Sequence, residues 1–234
     1  MNKKTIAIIL AGGKGERAGG TVPKQFIEVA GKPLIVHAIE RFSLGYIDGI
    51  IVVSLEKYID KVKRMIEKYG IKRNIDIIPG DVTRQGSSFN GVNACPRDTA
   101  FVLIHDAARP FVEEKIIRDV LDAAMKYGVA IPVIETSDTA AFEKDGFVDD
   151  IPERGKLKRI QTPQGFSYET IHRAHRSAKE EGITDVTDDC GLVKRIGGKV
   201  RMIEGSILNI KLTDRYDIEI SEKIIGSIRG KETA

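Results

Sequence analysis

Apolar and polar positions alternate along this chain in blocks, and the blocks change period. Short, nearly unbroken apolar runs stand at Thr5–Leu10, Gly49–Val53, Ile75–Ile78, Phe101–Ile104 and Val129–Val133. Runs of this kind belong to strands buried on both faces. Between them lie segments of helical character: Pro33–Phe42, Glu56–Tyr69, Arg84–Asn93 and Glu113–Tyr127. In the last, Ile116, Ile117, Val120, Leu121 and Ala124 recur at the spacing that lines one helix face. Strand and helix in alternation predict an α/β fold, a mostly parallel sheet covered by helices on both sides. Such sheets bind ligands beyond the carboxyl ends of their strands. The loops Gly12–Arg17 and Asp106–Arg109, after the first and fourth runs, are the expected walls of a site.

From Thr136 to about Arg154 the alternation breaks. Thr139-Ala-Ala-Phe-Glu-Lys-Asp-Gly-Phe-Val-Asp-Asp150 reads as a hairpin turning at Asp145-Gly146. It has too little apolar surface for a sheet of its own, and an isolated hairpin is marginal in water. An arm that packs on a partner subunit accounts for it better. Beyond the arm the pattern predicts a strand at Lys158–Gln161, a helix at Tyr168–Glu181 and a helix near Asp188–Arg195. Strands at Lys199–Glu204 and Asn209–Leu212 follow, then a helix from about Arg215. There is no internal repeat or low-complexity linker. The expectation is a single domain over 1–234, with a β-arm at about 137–156 used for dimerisation.

Charge changes this picture little. The 37 basic and 34 acidic residues leave a net +3, too small to imply nucleic-acid binding. No apolar run approaches the roughly 18 residues that span a bilayer. Met1-Asn2-Lys3-Lys4 leads into an apolar run too short for a signal peptide, so a cytoplasmic protein is expected. Cys95 and Cys190 are far apart and lack CxxC spacing. They read as free thiols, not as a zinc site or a disulfide.

The chemistry concentrates in Leu10-Ala-Gly-Gly-Lys-Gly-Glu-Arg-Ala-Gly-Gly-Thr-Val-Pro-Lys-Gln-Phe26. Gly12, Gly13, Gly15 and Gly19 strip side chains from a loop just after a buried strand. Arg17 and Lys24 place two cations beside it. A bare loop with two cations suits a polyphosphate. Gly13-Lys-Gly-Glu-Arg-Ala18 formally fits the dinucleotide fingerprint, but breakers crowd the start of the required helix. The acidic residue expected about 20 residues on is also absent, since the second strand ends Val52-Val53-Ser54. A P-loop fails too, because Thr21 follows Gly20 where Lys-Ser/Thr is required.

In His105-Asp-Ala-Ala-Arg-Pro-Phe111, Asp106 and Arg109 set a carboxylate beside a guanidinium at a strand's end. That pair can position a metal or a phosphate-bearing substrate, or it can be a helix cap with a solvent-facing arginine. His105 lies within the strand register and reads as structural. Arg84-Gln-Gly-Ser-Ser88 opens a helix, where Ser87 can serve an anion, a base edge or a simple cap.

Together these residues resemble the 2-C-methyl-D-erythritol 4-phosphate cytidylyltransferases of the non-mevalonate isoprenoid pathway. The likeness is carried by Ala11-Gly-Gly-Lys-Gly-Glu-Arg17, Pro23-Lys-Gln-Phe26, Gly80-x3-Arg84-x2-Ser87, His105-Asp-Ala-Ala-Arg-Pro110 and Asp138-Thr139. It continues through Arg154, Thr162-Pro-Gln164, Thr187-Asp-Asp189 and Asn209-Ile-Lys211. Each motif is weak alone; their order along the whole chain is specific.

The resemblance implies a Rossmann-like sheet of the nucleotide-diphospho-sugar transferase type, with a protruding arm. It implies Mg2+-dependent transfer of CMP from CTP to methylerythritol phosphate, with pyrophosphate released, by a homodimer. Backbone at Ala11, Gly12, Gly13 and Gly15 would wrap the triphosphate. Gly80, Asp81, Ser87 and Ala107 would recognise cytidine, with Arg84 nearby. Arg17 and Lys24 would be catalytic. Asp106, Arg109, Thr139, Arg154, Thr162 and Lys211 would hold the polyol phosphate, Thr139 and Arg154 acting in the partner's site. Asp106 is the candidate metal contact, the triphosphate supplying most ligands.

Asp138-Thr-Ala-Ala141 lacks the lysine usual after that Thr, and Lys158 stands where a tryptophan is frequent. Ribitol 5-phosphate cytidylyltransferases share the fold and the Pro-Lys-Gln-Phe element. They tend to carry Ser-Val-Arg after His-Asp, where this chain has Ala107-Ala108-Arg109. A phosphate monoester is already mostly dianionic near neutral pH, its second pKa being about 6, so the reaction requires no general base.

Overall fold

The computed structural model describes residues 3–13, 23–184, 186–214, 216–219 and 221. Its first half runs β1 (Lys4–Ala11), β2 (Glu28–Val29), β3 (Lys32–Pro33), α1 (Leu34–Arg41), β4 (Gly49–Ser54), α2 (Ile59–Lys68), β5 (Ile75–Pro79), α3 (Arg84–Asn93), β6 (Thr99–Asp106), α4 (Glu114–Tyr127) and β7 (Val129–Glu135). The hairpin β8 (Phe142–Lys144) and β9 (Phe147–Asp150) follows. The remainder is β10 (Lys158–Ile160), β11 (Gln164–Ser167), α5 (Tyr168–Glu180), α6 (Asp189–Arg195) and β12 (Arg201–Glu204).

The main sheet has the order β10-β7-β11-β6-β1-β4-β5, with β12 also paired to β7. β5, β4, β1 and β6 are parallel, and β11 enters antiparallel between β6 and β7. The five expected apolar runs form strands, as do Lys158–Ile160 and Arg201–Glu204, and both sheet faces are covered. Beneath one face Val36, Ile39 and Phe42 of α1 and its C-terminal edge pack with Ile117, Val120 and Leu121 of α4. Beneath the other, Val92 of α3 packs with Ile171 and Ala174 of α5 and Leu192 and Val193 of α6. The chain moves from β1 outward to β4 and β5, then returns to β6 on β1's other side. That reversal opens a crevice at the carboxyl ends of β1 and β6.

One glycine sets how closely α3 packs on the sheet. A Cβ at Gly91 of α3 would stand 2.5 Å from Ile8 Cγ2 of β1, so the bare position lets α3 lie close against the sheet. The side-chain oxygen of Thr83 accepts from the Gly86 amide at 2.9 Å and caps α3.

Two expectations are corrected. Asn209–Leu212 is not a strand. Asn209 is buried and its Nδ2 donates to Thr162 O at 2.8 Å, while the Leu212 amide donates to Ala108 O at 2.8 Å. Individual pins replace a ladder there. The short strand β11 has no counterpart in the apolar pattern. Its sequence Gln-Gly-Phe-Ser carries one large apolar side chain, Phe166, so periodicity has nothing to register. The expected terminal helix is helical at 216–219 and 221; its remainder lies outside the described residues. Among the described residues no helix is long and apolar enough to cross a membrane.

The hairpin turns at Asp145 and Gly146, whose φ angles of 53° and 83° suit a tight two-residue turn. All of β8 and β9 is exposed, including Phe142, Phe147 and Val148.

Candidate active site

Three loops meet beyond the carboxyl ends of β1, β5 and β6, and the first wall is nearly bare backbone. The Gly80 amide donates to Ser54 O at 2.7 Å, and the Asp81 amide donates to Ser87 Oγ at 2.9 Å. A Cβ on Gly80 would lie 2.9 Å from Ser87 Oγ, and one on Gly12 3.4 Å from it. Gly80 therefore closes on Ser87 with no room for a side chain, and Gly12 lies within contact distance of the same hydroxyl. Thr83 supplies the helix cap, so Ser87 is spared for this turn. Buried Ala107 donates its amide to Leu10 O at 3.0 Å, tying the β6 loop to the β1 loop that bears Ala11, Gly12 and Gly13. Gly15 and Arg17 lie outside the described residues.

The second wall is a nest of charges. Arg84 Nη2 lies 3.1 Å and Nε 3.2 Å from Asp106 Oδ1, and Lys211 Nζ lies 2.8 Å from Asp106 Oδ2. Arg84 Nη1 reaches back to Asp189 Oδ2 at 2.8 Å. Burial, the largest influence on Asp106, pushes its pKa upward. Arg84, Lys211 and Arg109 outweigh it and hold the carboxyl well below the usual range. Asp106 is an anion at any working pH.

The third group joins the cations to the scaffold. Arg109 Nη1 donates to Asn209 O at 2.7 Å. Lys24 Nζ donates to Leu212 O at 2.5 Å, from a short 3-10 turn anchored by buried Phe26. The segment 209–212 thus carries Lys211 while touching both Arg109 and Lys24. Gln161 Nε2 donates to Ser206 O at 2.8 Å and Asn209 O at 3.1 Å, holding the same segment from behind.

His105 is structural, as expected. Its Nε2 lies 3.0 Å from Arg109 O, which accepts only, so Nε2 carries the hydrogen. Nδ1 then accepts from Thr162 Oγ1 at 3.0 Å, and that oxygen accepts the Asp106 amide at 3.1 Å. Burial lowers the His105 pKa to about 4, so the ring is neutral at pH 7.

A family model described as 2-C-methyl-D-erythritol 4-phosphate cytidylyltransferase (IspD) matches residues 5–227. The chain belongs to this family. The enzyme of that name from Clostridium perfringens is 41% identical over 224 residues, 95% of this chain and 99% of its own length. That of Bacillus cereus is 39% identical over 219 residues, 93% and 96% of the two chains. The crystal structure of 4-diphosphocytidyl-2C-methyl-D-erythritol synthase from Anaerococcus prevotii aligns with a TM-score of 0.85 at 31% identity, covering 96% of this chain and 99% of that one.

The structure brings Lys24, Arg84, Asp106, Arg109, Thr162 and Lys211 together at this end of the sheet. Thr139 and Arg154 stand apart on the arm and its base, both exposed, with Arg154 Nη1 donating to Ser137 O at 3.4 Å. Sequence reasoning left Gln161, Asn209 and Asp189 without roles. Their signals were present in Gln161-Thr-Pro-Gln164, Asn209-Ile-Lys211 and Thr187-Asp-Asp189, but only the fold reveals what each side chain holds.

Proposed function

We propose that this chain catalyses the reaction of its family, CTP plus 2-C-methyl-D-erythritol 4-phosphate giving 4-diphosphocytidyl-2-C-methyl-D-erythritol and pyrophosphate, with its parts divided as follows. Ala11 to Gly15 wraps the triphosphate. Gly80, Asp81, Ser87 and Ala107 face the cytidine, with Arg84 beside them. Asp106, Arg109, Thr162 and Lys211 hold the polyol phosphate. The observation that carries the reading is the meeting of Lys24, Arg109 and Lys211 on one segment, next to the bare Gly12–Gly80–Ser87 floor.

A phosphate oxygen of the polyol phosphate attacks the α-phosphorus of CTP, and pyrophosphate leaves with the electron pair. The nucleophile needs no proton removed, so the barrier is the approach of anion to anion. Lys24 and Arg17 lower it by offsetting the charge that develops at the α-phosphorus. His105, neutral and fully engaged, takes no part in proton transfer.

Among the described residues no three His, Cys, Asp or Glu side chains gather into a metal nest. Asp106 is a single carboxylate, and magnesium is commonly held by one or two carboxylates plus substrate phosphates. An Mg2+ carried by the triphosphate would be held mainly by the phosphates, with Asp106, whose oxygens also face Arg84 and Lys211, as its single carboxylate contact. When bound, the ion would supply further charge neutralisation at the phosphates.

The protein acts as a cytoplasmic homodimer of single-domain subunits. The arm at about 137–156 brings Thr139 and Arg154 to the partner's site. The test of substrate is pyrophosphate release from CTP with either methylerythritol 4-phosphate or ribitol 5-phosphate. Faster turnover with the first is expected, and faster turnover with the second would overturn the assignment.

A further inference from the structure

Arg84 stands between two carboxylates, and the distances are unequal in kind. Toward Asp106 it spends Nε and Nη2 on the same oxygen, Oδ1. Toward Asp189 it spends Nη1 on Oδ2 at 2.8 Å. Asp106 Oδ2 is left for Lys211. A guanidinium facing a lone carboxylate prefers to close on both its oxygens in a parallel fork. Here that fork does not form.

Asp189 is held rigidly on the other side of the guanidinium. Its side chain is 1% exposed, against 24% for Arg84. Its other oxygen, Oδ1, accepts from Ser88 Oγ at 2.5 Å and lies 3.2 Å from His175 Nε2, both buried. The carboxylate is thus pinned by α3 and α5, and it offers one fixed oxygen to Arg84. Burial pushes its pKa up, but Arg84, His175 and Ser88 together bring it below the usual value.

We infer that Asp189 is a positioning residue for the polyol-phosphate site: by holding Arg84 Nη1 it keeps the guanidinium off Asp106 Oδ2 and reserves that oxygen for Lys211 and substrate. The inference rests on the reading of Asp106 and Lys211 as polyol-phosphate ligands. Replacing Asp189 with Asn keeps the shape and removes the charge. Arg84 then closes on both Asp106 oxygens and displaces Lys211. Misplacement of a binding group by about an ångström is enough to cost an enzyme heavily.

The experiment is steady-state kinetics with each substrate varied in turn, for Asp189→Asn, Ser88→Ala, Lys211→Ala and the double variant Asp189→Asn/Arg84→Lys. Asp189→Asn is expected to raise KM for the polyol phosphate about tenfold and to change KM for CTP less than about twofold. Ser88→Ala, which only loosens Asp189, shifts the same constant by about threefold and decides the matter if Asp189→Asn does not fold. A lysine at 84 cannot form the fork, so the double variant binds the polyol phosphate better than Asp189→Asn alone. An unchanged polyol-phosphate KM in the foldable variants, a loss confined to kcat or CTP, or no relief in the double variant overturns the inference. Lys211→Ala separates the two levels. If it raises the polyol-phosphate KM while Asp189→Asn does not, the inference alone falls; if it has no effect, the functional reading falls.

Discussion

The charge nest at the end of β6 and the hairpin arm are opposite in how they meet their physical needs. In the nest, each carboxylate oxygen of Asp106 faces a cation, and Arg84 is shared between two anions. Both carboxylates there, Asp106 and Asp189, find cationic counterparts within one chain. In the arm nothing is covered. Phe142 is 58% exposed, Phe147 78% and Val148 66%, on strands that, among the described residues, pair only with each other. A two-stranded ribbon with its aromatics in water is not a stable end point. One region is complete as it stands; the other is half of something, and a second copy of the chain is the proposed remainder.

The largest effect is expected where charge meets the reacting phosphorus. Lys24→Ala, and likewise Arg17→Ala, should lower kcat by about 10²–10³-fold, the usual cost of one preorganised contact. Circular dichroism and kcat measured on the same sample check it; near-normal turnover in a folded variant breaks the catalytic assignment. Next comes the arm. Phe142→Ser with Phe147→Ser removes apolar contacts that a two-fold interface counts twice, so the dimer dissociation constant should rise about a hundredfold. Sedimentation at several concentrations reads this directly, and an unaltered constant means the arm is not the interface.

Arg109→Ala should act more mildly, raising the polyol-phosphate KM about tenfold through loss of one charged contact. A change limited to CTP affinity assigns Arg109 to the other substrate. The smallest effect concerns stability alone. His105 titrates near 4 in the fold against 6.5 for the free side chain. Between those pH values the unfolded chain binds a proton that the folded chain refuses. Stability is therefore full above about pH 6.5 and declines toward pH 4, by on the order of 3 kcal/mol. His37, lowered mainly by burial, works in the same direction. Urea unfolding at pH 7 and pH 4.5 measures the drop, and equal midpoints contradict it.

The same contrast governs what was legible before the fold was known. The parallel core could be read because its strands are apolar throughout and α4 keeps its stripe of Ile116, Ile117, Val120, Leu121 and Ala124. The hairpin could be read because Asp145-Gly146 is a turn signal needing no tertiary context. β11 escaped because its place between β6 and β7 comes from neighbours, not from its own pattern. The false strand at Asn209–Leu212 arose because apolar alternation there serves pins to Thr162 and Ala108. At the site, Asp106, Arg109 and Lys211 were identified as residues. The meeting of Arg84 and Lys211 on the Asp106 carboxylate, and the buried Asp189 behind Arg84, are properties of packing across more than a hundred positions of sequence.

The central claim is that the arm of one subunit serves the substrate site built around the nest of the other, and subunit complementation tests it most directly. At polyol-phosphate concentrations well below the KM of either variant, Arg154→Ala and Lys211→Ala each impair every site in their own homodimers. Mixed and allowed to exchange, half of the dimers are hybrids. Each hybrid pairs an intact nest with an intact arm at one of its two sites. Pyrophosphate release should then recover to about a quarter of the unmodified enzyme's rate. A mixture no more active than its separate components would contradict the account.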